Sequence, residues 1–215
     1  MSRGQRLSKL NTASKPATDV PNQYFNENPT ALTRDRILPL NIFGHSFTFL
    51  SNSGLFSCEK VDAASILLME NIPPLTGSLL DLGCGYGPIG TVLGKVYPVQ
   101  VTMSDVNRIA LEYAAKNARR NGVTAQVVHS DGFENLSHDY DSIVLNPPIH
   151  AGKEVMHRLY YGAAKHLAPG GAFYIVIHKK HGAESTINTL AEIFISCLTL
   201  YKKKGLYVLK CVKMR

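Results

Sequence analysis

A glycine-rich loop between an apolar segment and a helix is the feature that most constrains the fold of this sequence. The loop reads Asp81-Leu82-Gly83-Cys84-Gly85-Tyr86-Gly87-Pro88, and it follows a short apolar run at 78–82. Alternating glycines let a backbone approach a ligand closely, and proline suits the first turn of a helix. Since a helix start presents unpaired N–H groups, the segment predicts a strand, a ligand-binding loop and a helix in succession.

Strand and helix patterns alternate along the rest of the chain. Strands are predicted at 78–82, 99–104, 125–129, 140–145 and 172–178, and helices at 88–97, 108–120, 154–167 and 183–194. A hairpin at 37–43 and 46–50 and a helix at 60–71 precede them, and an antiparallel hairpin at 197–201 and 206–212 follows. Repeated strand–helix units imply a parallel sheet with helices on both faces. The predicted fold is α/β: a doubly wound, mostly parallel, Rossmann-like sheet of seven strands with a C-terminal antiparallel hairpin and a small N-terminal β-hairpin extension.

The length of 215 residues fits one α/β domain with a full core. We expect a basic disordered tail at 1–22 and a single domain at 23–215, made of a hairpin-and-helix extension at 23–72 and a core at 73–215. The formal net charge is +7, and residues 1–18 and 202–215 are basic without a single acid. Such segments suit a polyanionic partner or serve only as solvated tails.

The composition argues against several other classes of protein. No apolar run reaches the ~18 residues that cross a bilayer. The four cysteines are scattered without a CxxC pair, which indicates neither a disulfide scaffold nor a zinc site. His178 and His181 form a close pair but have no third ligand nearby in the sequence. We therefore predict a cytoplasmic protein that neither binds a membrane nor holds a metal ion. The sequence leaves the oligomeric state open, and a monomer is favoured.

Two cofactors fit the glycine-rich loop to different degrees. Residues 85–90 match the dinucleotide pattern GxGxxG. In a dinucleotide site, however, the first glycine directly follows the strand, and here that glycine is Gly83. Asp81 within the loop suits an ammonium group, such as the methionine end of S-adenosylmethionine, and suits a pyrophosphate poorly. The loop and the topology together favour S-adenosylmethionine over a nicotinamide cofactor.

Acidic residues follow the next two predicted strands. Asp105 is placed to accept both ribose hydroxyls, or to cap the helix that begins near residue 108. Asp131 is placed for the adenine amino group, with Phe133 on the ring face, or is a plain turn residue. Phe56 belongs either to the cofactor site or to the core. The predicted cofactor-binding residues are Phe56, Asp81, Gly83, Cys84, Gly85, Gly87, Asp105, Val106, Asp131, Gly132, Phe133 and Asn146.

The segment Asn146-Pro147-Pro148, at the end of the fourth predicted strand, indicates the chemistry. Neither proline has an N–H to continue a ladder, and each holds the residue before it extended. The result is a rigid rim with an amide oxygen and a main-chain carbonyl facing outward. An exocyclic amine on a base is a poor nucleophile, because its lone pair is delocalised into the ring. Two acceptors that bind its N–H groups would favour methylation without a strong base.

Residues 37–215 resemble the small methyltransferase domain of the bacterial ribosomal small-subunit guanine-N2 methyltransferases. The segments that carry the resemblance are 54–57 (GLFS), 81–87 (DLGCGYG), 105–107 (DVN), 146–153 (NPPIHAGK) and 179–185 (KKHGAES). The resemblance implies a class I methyltransferase fold, S-adenosylmethionine as the donor and guanine N2 of rRNA as the target. It also implies that Asn146 and Pro147 hold the target amine, with Pro148 completing the catalytic motif.

The predicted substrate-binding residues are Ile149, His150, Lys153 and Lys179. His150 can equally be a surface turn residue, and each lysine can be a solvated surface residue without a phosphate contact. The family usually has phenylalanine after the prolines, where its ring stacks on the flipped base, whereas Ile149 offers apolar contact without a stacking face. We predict an N-methyltransferase for guanine N2 of 16S rRNA, with ribosomal RNA or the small ribosomal subunit as its partner. The alternatives are an adenine-N6 methyltransferase, a protein glutamine-N5 methyltransferase and a non-catalytic RNA-binding module that keeps the fold.

Overall fold

The computed structural model describes residues 34–148 and 152–214. The predicted tail at 1–22 and two predicted substrate contacts, Ile149 and His150, lie outside the described residues. The strands are β1 (Asp35–Ile42), β2 (His45–Asn52), β3 (Gly77–Leu82), β4 (Val99–Asp105), β5 (Ala125–His129), β6 (Tyr140–Leu145), β7 (Leu167–His178), β8 (Ser196–Lys203) and β9 (Leu206–Val212). The helices are α1 (Ala63–Asn71), α2 (Pro88–Val96), α3 (Arg108–Arg120), α4 (Gly152–His166) and α5 (Ala183–Ile193).

Seven strands form one sheet in the order β5-β4-β3-β6-β7-β9-β8. The first five are parallel to one another, and β9 and β8 are added as an antiparallel hairpin. The predicted fold is therefore confirmed. The chain runs outward from β3 through β4 to β5 and then returns to β6 on the other side of β3. This reversal opens a crevice at the carboxyl ends of β3, β4 and β6, where ligands bind in such sheets.

The central strands are buried because helices cover both faces of the sheet. Successive side chains of a strand point to opposite faces. Leu79 and Val144 accordingly join one hydrophobic cluster, whereas Leu80, Ile143 and Leu145 join the other. All five side chains are fully buried. Continuous apolar runs of this kind are expected where a parallel sheet has no solvent-facing side, and they hold the strand ends in fixed positions.

The hairpin of β1 and β2 is fastened to α3 by two asparagines one helical turn apart. Asn117 accepts from the Leu50 backbone N–H at 2.7 Å and donates to the Leu50 carbonyl at 2.8 Å. Asn121 makes the same pair of bonds to Thr48, at 3.0 and 3.1 Å. The two side-chain amides thus pair with β2 as a further strand would. Asn117 also donates to the carbonyl of Tyr86 at 2.8 Å, so the hairpin is tied to the glycine-rich loop.

Three local features differ from the sequence-based expectations. Helix α1 begins at Ala63 rather than at residue 60, because Asp62 caps it by accepting from the backbone N–H of Ser65. Strand β7 begins at Leu167 rather than at residue 172, because Leu167 already pairs with Tyr140 before an irregularity in the ladder. These shifts move no strand to another place in the sheet.

The third difference is a disulfide in the C-terminal hairpin. Cys197 and Cys211 are cross-strand partners in β8 and β9 and are joined to each other. Their separation of 14 residues gives no sign of this pairing, because they meet only once the two strands have formed. The sequence pattern indicated no disulfide scaffold and did not predict this single pair, whereas Cys58 and Cys84 are free.

Candidate active site

A cavity of about 240 Å³ lies at the carboxyl ends of β3, β4 and β6. Its walls come from the glycine-rich loop, from the turns after β4, β5 and β6, and from the segment that precedes α1. The predicted cofactor residues that line it are Phe56, Gly83, Cys84, Gly85, Asp105, Val106, Asp131, Gly132 and Asn146. Three other predicted residues, Asp81, Gly87 and Phe133, are not among the lining residues. Phe56 is 42% exposed, which excludes the core position considered for it.

The backbone of the glycine-rich loop forms one wall of the cavity. Gly83 and Gly85 have φ angles of 66° and 56°, in the left-handed region that glycine adopts without strain. A Cβ atom added at Gly85 would meet no atom within 4 Å, and one added at Gly83 would meet only Leu145 at 4.0 Å. The loop therefore leaves open space where side chains would otherwise stand. A ligand can approach the main chain there.

Gly87 serves packing between the loop and α3 rather than the cavity. A Cβ atom at this position would lie 3.0 Å from the Cα of Ala114 and 3.0 Å from the sulfur of Met103. Its φ of 84° also excludes a relaxed L-residue. The predicted cofactor contact at Gly87 thus differs from what the structure shows, because the third glycine faces away from the ligand side.

Gly87→Ala is expected to destabilise the protein more than Gly44→Ala. Both positions have a left-handed φ, so each substitution costs about 1–2 kcal/mol of backbone strain. Gly44 has no atom within 4 Å of an added Cβ, whereas Gly87 meets α3, which adds about 1–3 kcal/mol of overpacking. Urea unfolding of the two variants measures this difference. Equal free energies of unfolding would show that α3 yields to the extra methyl group.

Asp81 lies beneath the loop, where it holds the start of α2. It is 1% exposed, and its Oδ2 accepts from the backbone N–H of Gly90 at 2.7 Å. Its Oδ1 is buried without a hydrogen-bond partner among the described residues. The pKa of Asp81 is raised to about 7, chiefly by burial and also by the nearby charge of Asp105, while the hydrogen bond from Gly90 opposes the shift. In this structure Asp81 holds the start of α2 and does not line the cavity, whereas a direct contact with the cofactor was predicted.

Asp81→Asn is expected to remove a pH dependence of stability. The pKa of Asp81 is raised on folding from its ordinary 3.8 to about 7, so the unfolded chain ionises first as the pH rises. The resulting loss of stability begins near pH 4 and is complete above pH 7, and it amounts to about 2.5 kcal/mol between pH 5 and pH 8. Asparagine keeps the bond to Gly90 without titrating. Urea unfolding of both proteins at the two pH values tests this, and parallel pH profiles would contradict it.

Asp105 presents its carboxylate to the cavity while fixing the loop. Its Oδ2 accepts from the backbone N–H of Gly85 and its Oδ1 from that of Asn107, both at 2.8 Å. Burial raises the pKa of Asp105, and the N–H groups of Asn107 and Gly85 oppose that shift. The alternative role as a helix cap belongs instead to Asn107, whose side chain accepts from Ala110. Each carboxylate oxygen has a second lone pair, so both remain able to accept a ribose hydroxyl.

The turn after β5 agrees only partly with the prediction. Asp131 lines the cavity, but it is also paired with Arg158 of α4 at 2.5 Å, a partner that no local motif indicated. Phe133 points away from the cavity and stacks on His166 with ring centroids 4.6 Å apart. Its ring fills the space that a side chain at Gly162 would need. An adenine-facing role for Phe133 therefore has no support in the structure.

Asn146, at the end of β6, is held by two residues of the N-terminal extension. Its Nδ2 donates to Asp62 Oδ2 and to Ser65 Oγ, both at 2.9 Å. Pro147 and Pro148 follow it along the cavity wall. Asp62 and Ser65 were missed by sequence reasoning. Their spacing indicates only a helix cap, and nothing in the sequence shows that the cap meets a residue more than 80 positions away.

A second cavity of about 420 Å³ begins where the first ends. Five residues line both cavities: Phe56, Asp62, Asn146, Pro147 and Pro148. The second cavity also contains Lys153, His157, His178 and His181. Lys179 is not a lining residue, although His181 of the same exposed 3-10 turn, Lys179–His181, is one. The asparagine–proline rim thus lies between the cavity at the strand ends and one that contains a lysine and three histidines.

The arrangement of loop, acidic strand end and asparagine–proline rim is matched by a known family. The model of the methyltransferase small domain matches residues 46–210. The chain belongs to the methyltransferase small domain family. This confirms the predicted family and enzyme class, and with the fold it confirms S-adenosylmethionine as the cofactor. The open loop wall and the Asp105 carboxylate fit that cofactor.

Individual relatives of this methyltransferase are of two kinds. The uncharacterized protein YbxB of Bacillus subtilis (strain 168) is 40% identical over 197 residues, which cover 89% of this chain and 98% of that protein. Ribosomal RNA small subunit methyltransferase C of Vibrio cholerae is 36% identical over 138 residues. That match covers 62% of this chain but 41% of the relative.

A solved structure is similar to this methyltransferase over most of its length. It is the T. thermophilus 16S rRNA N2 G1207 methyltransferase (RsmC) in complex with AdoMet and guanosine. The TM-score is 0.75 at 32% identity, and the match covers 85% of this chain and 51% of that one. The chain thus spans about half of the structural relative and less of the Vibrio protein.

Within 34–148 and 152–214, no group of three or more His, Cys, Asp or Glu side chains could hold a metal ion. Across the same ranges, every helix is too short or too polar to span a bilayer.

Proposed function

We propose that this methyltransferase methylates the exocyclic N2 amine of a guanine in 16S rRNA. The observation that carries the proposal is the position of Asn146-Pro147 at the boundary of two cavities, with the asparagine amide nitrogen already bound to Asp62 and Ser65. The relative from T. thermophilus, described as an N2 guanine methyltransferase and complexed with guanosine, supports the choice of base. The Vibrio relative supports the small ribosomal subunit as the source of the RNA.

The chemistry requires two acceptors next to a methyl donor. When bound, S-adenosylmethionine supplies an electrophilic methyl group. The Asn146 Oδ1 and the Pro147 carbonyl accept the two N–H groups of the target amine, which draws the nitrogen toward a tetrahedral form. The same oxygens stabilise the positive charge that grows on the nitrogen during transfer. The proton leaves after transfer, so no strong base is needed at the rim.

The second cavity is suited to a nucleoside and its phosphates. Its volume of about 420 Å³ is within the range of small-ligand sites. Lys153 and the histidines His157, His178 and His181 provide hydrogen-bond donors for phosphate oxygens, and Asp62 provides an acceptor. A base inside a stack cannot reach the rim, so the target must be looped or flipped out. We infer that the flipped nucleoside occupies this cavity.

The excess of positive charge suits ribosomal RNA as the partner. The formal net charge of +7 favours association with a polyanion, and each neutralised phosphate releases counterions. We propose a cytoplasmic location as well, because it follows from ribosomal RNA or the small subunit as the substrate.

The product of the reaction tests the proposal. The protein is incubated with radiolabelled S-adenosylmethionine and either undermethylated small subunits or naked 16S rRNA, and the digested RNA is separated into nucleosides. We expect the label in N2-methylguanosine. Label in N6-methyladenosine would show that the target base is adenine and would leave the proposed mechanism in place. Unlabelled RNA together with labelled protein would point to a glutamine amide, and bound cofactor without any labelled product would indicate an RNA-binding module.

A further inference from the structure

We propose that Asp62 and Ser65 are positioning residues that fix which face of the Asn146 amide meets the target amine. The inference rests on the proposed function, because it concerns Asn146 Oδ1 as an acceptor. It goes beyond that function by assigning part of the active site to the N-terminal extension. Asp62 and Ser65 precede Asn146 by 84 and 81 positions.

The hydrogen-bond pattern defines the orientation of the amide. Asn146 Nδ2 uses its two hydrogens for Asp62 Oδ2 and Ser65 Oγ, each at 2.9 Å. A carboxylate only accepts, whereas a hydroxyl can also donate. If the amide were turned over, Asn146 Oδ1 would stand 2.9 Å from a carboxylate oxygen with no proton between them. Asp62 thus excludes the reversed orientation of the amide, and Ser65 stabilises the observed orientation by accepting a second hydrogen bond.

The orientation of the Asn146 amide decides whether the rim can accept hydrogen bonds from the target amine. The side-chain torsion of asparagine that turns its amide is broad and roughly two-fold, so an unanchored amide can present either end. With Nδ2 toward the target, a donor would face the N–H groups of the amine. With Nδ2 bound to Asp62 and Ser65, Oδ1 is the end of the amide that stays available to a ligand, and Asn146 lines both cavities. The anchors therefore preorganise one of the two acceptors.

The anchors are themselves rigid because they belong to a helix start. Asp62 Oδ2 accepts from the Ser65 backbone N–H at 3.0 Å as well as from Asn146, so one oxygen caps α1 and binds the rim. Ser65 is buried at 4% exposure. Helix α1 packs on β7 and α2. A movement of α1 would therefore carry both anchors away from Asn146 together.

Variants that separate capping from anchoring test the proposal. Asp62→Ser keeps a helix-capping oxygen on a side chain too short to reach Asn146, and Asp62→Asn keeps an oxygen that can do both. We expect Asp62→Ser combined with Ser65→Ala to lower kcat by about tenfold to a hundredfold, with the KM for S-adenosylmethionine unchanged. Asp62→Asn should retain most of the activity. A merely structural role would predict equal losses for Asp62→Ser and Asp62→Asn, and that result would overturn the proposal.

A double-mutant cycle with Asn146→Ala gives the decisive comparison. If Asp62 and Ser65 act through Asn146, their substitution should change nothing further once the amide is gone. A further loss of the same size in the Asn146→Ala background would overturn the proposal. The product and substrate are those found for the wild-type enzyme, so the cycle does not depend on guanine being the target.

A measurement without turnover separates this inference from the proposed function. The Asn146 side-chain NH₂ resonances, assigned by their absence in Asn146→Ala, should exchange slowly with solvent in the wild-type protein and rapidly in Asp62→Ser with Ser65→Ala. Slow exchange in a protein that labels no RNA would refute the proposed function and leave the anchoring intact. Rapid exchange in the wild-type protein would overturn the anchoring itself.

Discussion

Asn146→Ala is expected to lower kcat by about three orders of magnitude. The substitution removes the side-chain acceptor that faces the target amine and leaves only the Pro147 carbonyl. Loss of one preorganised hydrogen-bonding group at a reacting centre costs roughly 10²–10³ in kcat. It also leaves the Asp62 carboxylate without its contact to Asn146. Single-turnover methylation of the substrate identified by nucleoside analysis measures the loss.

The control for this variant is Asn41→Ala, which removes an exposed amide bonded to Ser46 in the hairpin. We expect it to leave kcat unchanged. Asn146 lines the cofactor cavity as well, so calorimetry with S-adenosylhomocysteine must accompany the kinetics. The expected change in Kd is at most a few-fold. Full turnover in Asn146→Ala would refute the proposed role of the asparagine–proline rim.

Asp105→Ala is expected to weaken binding of S-adenosylhomocysteine by about a hundredfold. Two hydrogen bonds from ribose hydroxyls to a carboxylate are lost, each worth about 1.5 kcal/mol at the lower limit for charged acceptors. The backbone N–H groups of Gly85 and Asn107 lose their acceptor at the same time. Calorimetric titration of the variant and the wild-type protein measures the change in Kd.

Two companion variants show whether the effect belongs to this carboxylate. Asp139→Ala removes an exposed acid elsewhere on the surface and should bind like the wild type. Asp105→Asn keeps one acceptor and should lose less affinity than Asp105→Ala. An unchanged Kd for Asp105→Ala, with the protein still folded by circular dichroism, would exclude Asp105 as the ribose ligand.

The active-site predictions that agree with the structure depend on where a strand ends. Gly83, Gly85, Asp105 and Asn146 each follow a strand of a parallel sheet, and the topology brings those ends to one edge. Asp81 and Phe133 do not line the cavity, because their side chains point elsewhere. Asp81 points under the loop to Gly90, and Phe133 points to His166. Contacts with α2 and α4 accompany these directions, and the local sequence patterns do not predict them.

The sequence by itself determined the class of fold, the cofactor loop and the asparagine–proline motif, because each depends on neighbouring residues and on the periodicity of apolar side chains. Only the tertiary structure brought Asp62 and Ser65 to Asn146, Arg158 to Asp131, and Cys197 to Cys211. These contacts join residues 14 to 84 positions apart. The packing of many side chains at once fixes such pairs, and no single stretch of the chain contains that information.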